Sequence, residues 1–296
     1  MITIFSCPKP FRGHVEIIQR NAVQSWLRLD PTPEIILVGN DDGVAQAACE
    51  YGVKHVPKVE CNEFGTPLIS SIFHESEKAS TRPLMCYANA DIIFMQDFME
   101  GIKRVTAVKP GALMVGRRWN VDIIEPISFD DHWQDALFSL ARSRGALYPY
   151  YAIDYFVFPK NGLGRIPPFA IGRPAWDNWV IYKACSSGMP VVDLTEAVTV
   201  VHENHDYSHH PEGWKGAMQG EESKRNIALA GEAAHVHSLL DAPYRLTDKG
   251  IARRYPPLYQ PFYLYKQLVI LSLYLPPLKP LVRLIKAAGA RISARR

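Results

Sequence analysis

The chain has no pair of cysteines at a spacing that closes a small disulfide scaffold or a zinc site. Its five cysteines, Cys7, Cys49, Cys61, Cys86 and Cys185, are odd in number and scattered, which argues for reduced thiols. It also lacks any apolar run of the roughly 20 residues that a bilayer span requires. The most apolar segment, Leu268 to Leu275, stops at Pro276 and Pro277. No basic lead and apolar signal region open the chain, since Met1 to Ser6 already reads as a strand, so a cytoplasmic location is expected. Internal repeats and low-complexity tracts are missing. Finally, no acidic residue follows Asp248: the segment from Lys249 to Arg296 holds ten Lys or Arg and carries +10, which leaves −7 of the overall +3 to the first 248 residues. That asymmetry predicts that the two parts face different partners.

What is present is the composition of an ordinary globular protein, 47% apolar and 21% charged over 296 residues, enough for one large α/β domain with an appendage. Residues 2 to 6 read as a strand, Glu16 to Leu29 as a helix, Glu34 to Val38 as a buried strand running into Gly39, Asn40, Asp41 and Asp42, and Val44 to Tyr51 as a helix closed by Gly52. Strands and helices alternating at this spacing predict βαβ units on a parallel sheet. A loop from Glu60 to Thr66 leads to a helix that Pro67 opens.

The segment Leu84 to Phe94 is apolar throughout except for Asn89 and Asp91 and reads as one core strand with polar ligands near its end. A carboxylate there is costly unless hydrated, paired or bound to a cation, and open α/β sheets bind ligands at the carboxyl ends of their strands. A divalent cation carrying a nucleotide diphosphate is the simplest occupant; a plain turn is the alternative. Further on, a helix from Asp97 to Val108 and a strand from Ala112 to Gly116 precede Arg117 and Arg118, a pair suited to phosphate or to a solvated surface. Trp133 to Arg144 reads as a helix, Tyr150 to Pro159 as an aromatic strand whose one acid is Asp154, and Trp176-Asp177-Asn178-Trp179 as a helix start. Val191 to Leu194 and Ala197 to Val201 read as short strands, with His202, His205 and His209 hanging off the second.

In their order along the chain, the strand-end Asn89-Ala90-Asp91, the Trp-Asp-Asn-Trp helix start and the histidine after a late strand resemble the GT-A-fold glycosyltransferases, of the family 2-like, nucleotide-sugar-dependent type, over about residues 1 to 210. The resemblance implies a GT-A-like, Rossmann-type and mostly parallel central sheet flanked by helices, with a C-terminal helical basic extension. In that family the mid-chain motif is usually Asp-x-Asp. Asp91 matches its metal-binding position, and Asn89 replaces the first carboxylate with an amide. The implied cation is Mn2+ or Mg2+, held by Asp91 with His202 or His205. Asp177 matches the base that takes the acceptor proton, with inversion as the implied outcome. Ser6, Asp41, Asp42, Thr66, Asn89, Ala90 and Arg117 are the implied nucleotide-sugar contacts. Asp154 would orient hydroxyls, and Trp176 and Trp179 would stack on acceptor sugars, the alternative for the two indoles being core packing.

The expected organisation is a catalytic region over 1–210, split near 120 into nucleotide-sugar and acceptor halves, then a helical connector over 211–248 and a basic, aromatic extension over 249–296. The expected partners are a nucleotide-sugar donor and a glycan or lipid-linked acceptor, in cell-surface polysaccharide synthesis. The extension suits an anionic membrane face, or else packs on the body or on a second subunit in a homodimer. Its cations alternate with leucine and isoleucine, which argues against nucleic acid. Two rivals stand beside this reading. A sugar-phosphate nucleotidyltransferase would need a Gly-rich phosphate loop that Ser6 to Arg12 does not supply, and a non-catalytic sugar-binding scaffold is permitted by Asn89.

Overall fold

A computed structural model describes residues 1–204, 216, 218–231 and 237–255 and, in the C-terminal stretch, 264, 265, 267, 268, 271, 272 and 275–285. The core is a nine-stranded sheet in the order β13-β12-β10-β6-β9-β4-β1-β2-β3. Its strands are β1 (Ile2–Ser6), β2 (Glu34–Val38), β3 (Lys54–Val56), β4 (Leu84–Ala88), β6 (Leu113–Val115), β9 (Tyr155–Pro159), β10 (Val191–Asp193), β12 (Tyr244–Thr247) and β13 (Gly250–Arg253). Pairing is parallel except that β9 runs against β4 and β6, and β13 against β12.

The two-residue period of a strand divides the core cleanly. Ile2 and Ile4, Ile35 and Leu37, and Cys86 and Ala88 pack into one apolar layer, whereas Phe5, Ile36 and Val38, and Met85 and Tyr87 pack into the other. The first layer is covered by α1 (Gly13–Leu27), α2 (Val44–Tyr51) and α4 (Gln96–Val108), through residues such as Trp26, Ala47 and Phe98. The second is covered by α3 (Ile69–Ala79) and α6 (Trp176–Ser186), through Phe73, Trp176 and Val180. A sheet buried on both faces explains the near-continuous apolar strands.

A second sheet, in the order β5-β11-β7-β8, joins β5 (Ile92–Phe94), β11 (Val200–Glu203), β7 (Trp119–Val121) and β8 (Ala146–Leu147). It packs on α5 (Trp133–Arg144) through Ile93, Val121, Trp133, Leu137 and Val201. The segment 84–94 is therefore two strands in two sheets, not the one strand expected. Asn89, Ala90 and Asp91 make the turn between them, where the chain leaves one sheet for the other. His202 likewise lies inside β11 rather than beyond a strand end.

The main sheet also continues past residue 210. β12 pairs in parallel with β10, so the expected helical connector holds a strand beside its helix Glu221–Leu229. Among the described residues no helix is long and apolar enough to cross a membrane.

Candidate active site

Parallel pairing brings the carboxyl ends of β1, β2, β4 and β6 to one edge of the main sheet. Because β9 is antiparallel, its beginning reaches the same edge, where Ala88 faces Tyr155. Asn89 and Asp154 thereby meet. The Asn89 backbone N–H donates to the Asp154 carbonyl at 2.9 Å and its side-chain Nδ2 to Asp154 Oδ1 at 2.7 Å, while the Tyr87 hydroxyl donates to Asn89 Oδ1 at 2.8 Å. The other carboxylate oxygen of Asp154 pairs with the guanidinium of Arg118, with both side chains nearly buried. Arg118 also donates from Nε to Asn120 Oδ1 at 3.1 Å and lies 4.4 Å from the centre of the Tyr148 ring.

The second sheet closes the other side of this group. β11 pairs with both β5 and β7, setting His202 opposite Ile92 on one neighbour and Asn120 on the other. His202 Nε2 comes within 3.5 Å of Asp91 Oδ2, and both side chains are largely shielded. One carboxylate oxygen and one imidazole nitrogen form a donor pair that fits Mn2+ or Mg2+, with manganese the better match to imidazole. Among the described residues no third His, Cys, Asp or Glu joins them. Glu203, the next residue on β11, points away and is fully buried, with Oε2 accepting from Asn21 at 3.3 Å. Burial pushes its carboxyl up to about 9, the Asn21 hydrogen bond opposes this and the charge of Asp91 adds to it.

Asp177 stands in the first turn of α6, whose entry residue Ala175 has a φ of 81°. A left-handed alanine is strained, and such strain persists where the surrounding packing imposes it. Trp176, beside it, packs edge-on against Tyr87, with centroids 5.2 Å apart, which ties the helix start to the Asn89 turn. Burial raises the Asp177 carboxyl to about 6, against the opposing pull of backbone N–H groups at Asn178 and Ile153 and of the Arg118 charge. Arg118 thus pairs with Asp154, and its charge also favours the ionised form of Asp177.

Other expected residues lie differently. Trp176 and Trp179 are 5% and 8% exposed and pack on Phe73, Tyr87 and Phe156, and on Phe169. The rings fill the core instead of presenting a face to a sugar, because the helix must cover the aromatic layer of the sheet. The Arg117 guanidinium is engaged locally: it donates to the carbonyls of Leu147 and Tyr148 and lies 4.3 Å from the centre of the Tyr150 ring. Thr66 belongs to a loop tied elsewhere, its N–H donating to Asn62 Oδ1 at 3.0 Å while Asn62 Nδ2 donates to Glu222 at 2.6 Å. Ser6 is buried at the end of β1, and Asp41 and Asp42 are exposed beyond β2, where Arg12 pairs with Asp42 at 2.8 Å. Ala90 sits in the turn between Asn89 and Asp91. His205 and His209 lie outside the described residues.

Arg118 was expected only as half of the Arg117-Arg118 pair suited to phosphate, and Asn120 and Tyr151 were given no role from the sequence. Tyr151 is 52% exposed, and its carbonyl accepts from Asn178 Nδ2 at 3.1 Å beside Asp177; only the loop geometry reveals it.

Neither a protein-family model nor a curated protein sequence matches the chain. Solved structures do. The chain is similar to TarS 1-349 of S. aureus in complex with UDP-GlcNAc at a TM-score of 0.51 and 11% identity, over 79% of this chain and 67% of that one. It is similar to GalNAc-T7 with UDP, GalNAc and Mn2+ at a TM-score of 0.49 and 13% identity, over 78% and 48%. Glucosyl-3-phosphoglycerate synthase from Mycobacterium tuberculosis in complex with Mn2+, UDP and phosphoglyceric acid matches at 0.44 and 13%, over 77% and 76%. The likeness to TarS shows that the chain has the GT-A fold expected from its sequence.

Proposed function

We propose that the chain is a divalent-cation-dependent glycosyltransferase that moves a sugar from a nucleotide-diphosphate sugar to a hydroxyl of a glycan or lipid-linked acceptor, with inversion, in cell-surface polysaccharide synthesis. One observation carries this reading. The carboxyl edge of the sheet holds the Asp91–His202 pair next to the Asn89 turn that binds Asp154, and Asp154 pairs with Arg118, whose charge acts on the raised carboxyl of Asp177.

In this reading Asp91 and His202 would hold the cation, which would supply positive charge against the diphosphate leaving group. Asp177 accepts the proton of the acceptor hydroxyl as that oxygen attacks the anomeric carbon from the face opposite the diphosphate. With its carboxyl near 6, Asp177 is mostly ionised at neutral pH yet a stronger base than an ordinary carboxylate. Backbone N–H groups, and after them the Arg118 charge, keep it from rising further. Asn89 and Arg118 hold Asp154 rigidly by both of its oxygens, which suits orienting donor or acceptor hydroxyls. Tyr151, exposed beside the helix start, is the aromatic surface available to an acceptor sugar in place of the two buried indoles.

The test is nucleotide-sugar hydrolysis and transfer across UDP-, GDP-, CDP- and dTDP-sugars with manganese. Turnover of one donor class that Asp91→Ala abolishes supports the proposal. A folded wild type that turns over none of them favours a non-catalytic sugar-binding scaffold.

A further inference from the structure

The side chain of Arg117 is held by the stretch that runs from β8 into β9. Its Nε donates to the Tyr148 carbonyl and its Nη2 to the Leu147 carbonyl, and the guanidinium lies 4.3 Å from the centre of the Tyr150 ring. Nε and Nη2 share one edge of the planar group, so the two carbonyls occupy that edge. The terminal edge, shared by Nη1 and Nη2, still has N–H groups to give to a further acceptor. The backbone is fixed as well, its N–H donating to Thr195 Oγ1 at 2.9 Å. Two other arginines of this region are neutralised, Arg118 by Asp154 and Arg254 by Asp193 at 2.7 Å. Arg117 is not: among the described residues its side-chain partners are two carbonyls and a ring, and none is a carboxylate.

The stretch that grips Arg117 also borders Asp177. The Tyr151 carbonyl accepts from Asn178 Nδ2 at 3.1 Å, and the Ile153 N–H donates to the Asp177 carboxylate. Arg117 is itself partly exposed. A half-shielded cation with no carboxylate beside it gains more from an anion than a fully hydrated one does. Its terminal edge matches two oxygens of a carboxylate or a phosphate. The two carbonyls and the ring already order the side chain, so little freedom is lost when an anion binds. We propose that Arg117 binds an anionic group, a carboxylate or a phosphate, carried by the acceptor, which is then an acidic or phosphorylated sugar and not a neutral one. Its role toward the acceptor rests on the transferase reading; the anion site itself does not.

The experiment is calorimetric titration of the full-length protein, in chelator and without donor, with three probes that differ at one carbon: methyl glucoside, methyl glucuronide, and methyl glucoside phosphorylated on its primary hydroxyl. Wild type is expected to bind one anionic probe about tenfold or more tighter than the neutral glucoside, and the probe it prefers separates a carboxylate from a phosphate. Arg117→Gln should remove the preference. Arg117→Lys, which keeps the charge without the paired edge, should fall between the two. Asp91→Ala should keep the preference in full. The proposal is overturned if wild type prefers neither anion, if a folded Arg117→Gln retains the preference, or if Asp91→Ala loses it, which would put the anion at the cation site. Should the glutamine variant not fold, a lysine variant with the full wild-type preference overturns the proposal. Binding is read without donor or turnover, so a missing anion preference leaves the transferase reading standing, and a failed transfer assay leaves the anion site standing.

Discussion

Replacing Asn89 with aspartate would restore the acidic motif that GT-A enzymes usually carry, and the structure predicts that this chain tolerates it poorly. Asn89 Nδ2 donates to Asp154 Oδ1 at 2.7 Å, so Asn89→Asp removes a donor and sets a second carboxylate against the first. Two like charges about 4 Å apart repel by about 4 kcal/mol at an effective dielectric near 20. Arg118 already neutralises the far oxygen of Asp154 and offsets part of this, leaving an expected loss of about 2–3 kcal/mol at pH 8. The pair escapes the repulsion by binding a proton, so its folded affinity for protons exceeds that of the unfolded chain, and the loss should shrink as the pH falls toward 5. Urea unfolding of wild type, Asn89→Asp and Asn89→Ala at both pH values, in chelator, measures this directly. An aspartate variant as stable as wild type at pH 8, or one penalised more at pH 5 than at pH 8, would refute the reasoning.

Three further outcomes follow from individual contacts. If Asp177 is the base, transfer should fall about tenfold per pH unit below about 6 as the carboxylate protonates, and Asp177→Asn should abolish transfer at every pH, which a pH–rate profile reads. Trp176→Ala should cost about 3–5 kcal/mol in urea unfolding, because the ring fills the core against Phe73, Tyr87 and Phe156; a near-neutral change would instead place it in a sugar site. Burial works against the ionised Glu34, but hydrogen bonds from Lys54, Thr3 and Thr81 bring its carboxyl down to about 2. Its stabilisation is therefore present above the unfolded value near 4.5 and is lost as pH falls toward 2; Glu34→Gln should be less stable by about 2–3 kcal/mol at pH 7 and match wild type in strong acid.

Much of the fold was legible because a doubly covered parallel sheet writes itself as apolar runs separated by helical periods. β1, β2, α2, α5 and α6 lie within a residue or two of their expected bounds for that reason. The break at Asn89–Asp91 was hidden because β4 and β5 are equally apolar, and no periodicity distinguishes one strand from two strands in different sheets. β7 and the β12–β13 hairpin were missed for shortness, although Asp248-Lys249-Gly250 is a turn signal. The candidate site could be read as residue types and not as contacts: Asp91, Asp154, Asp177 and His202 are each expected from the sequence, whereas the pairing of Arg118 with Asp154 depends on the antiparallel course of β9. The two roles open to the indoles could not be told apart, because a Trp-Asp-Asn-Trp start looks alike whether its rings face a ligand or the sheet.

Thermal unfolding with UDP, GDP, CDP or dTDP, each with and without manganese, tests for a cation-dependent donor site at Asp91 and His202. For one nucleotide at about a hundred times its dissociation constant, binding to the folded state adds about 2.7 kcal/mol, or a rise in Tm on the order of 5 °C. That rise is expected only with manganese present, and it should be lost in Asp91→Ala and in His202→Ala. A manganese-independent rise, or one that survives both substitutions, would contradict such a site.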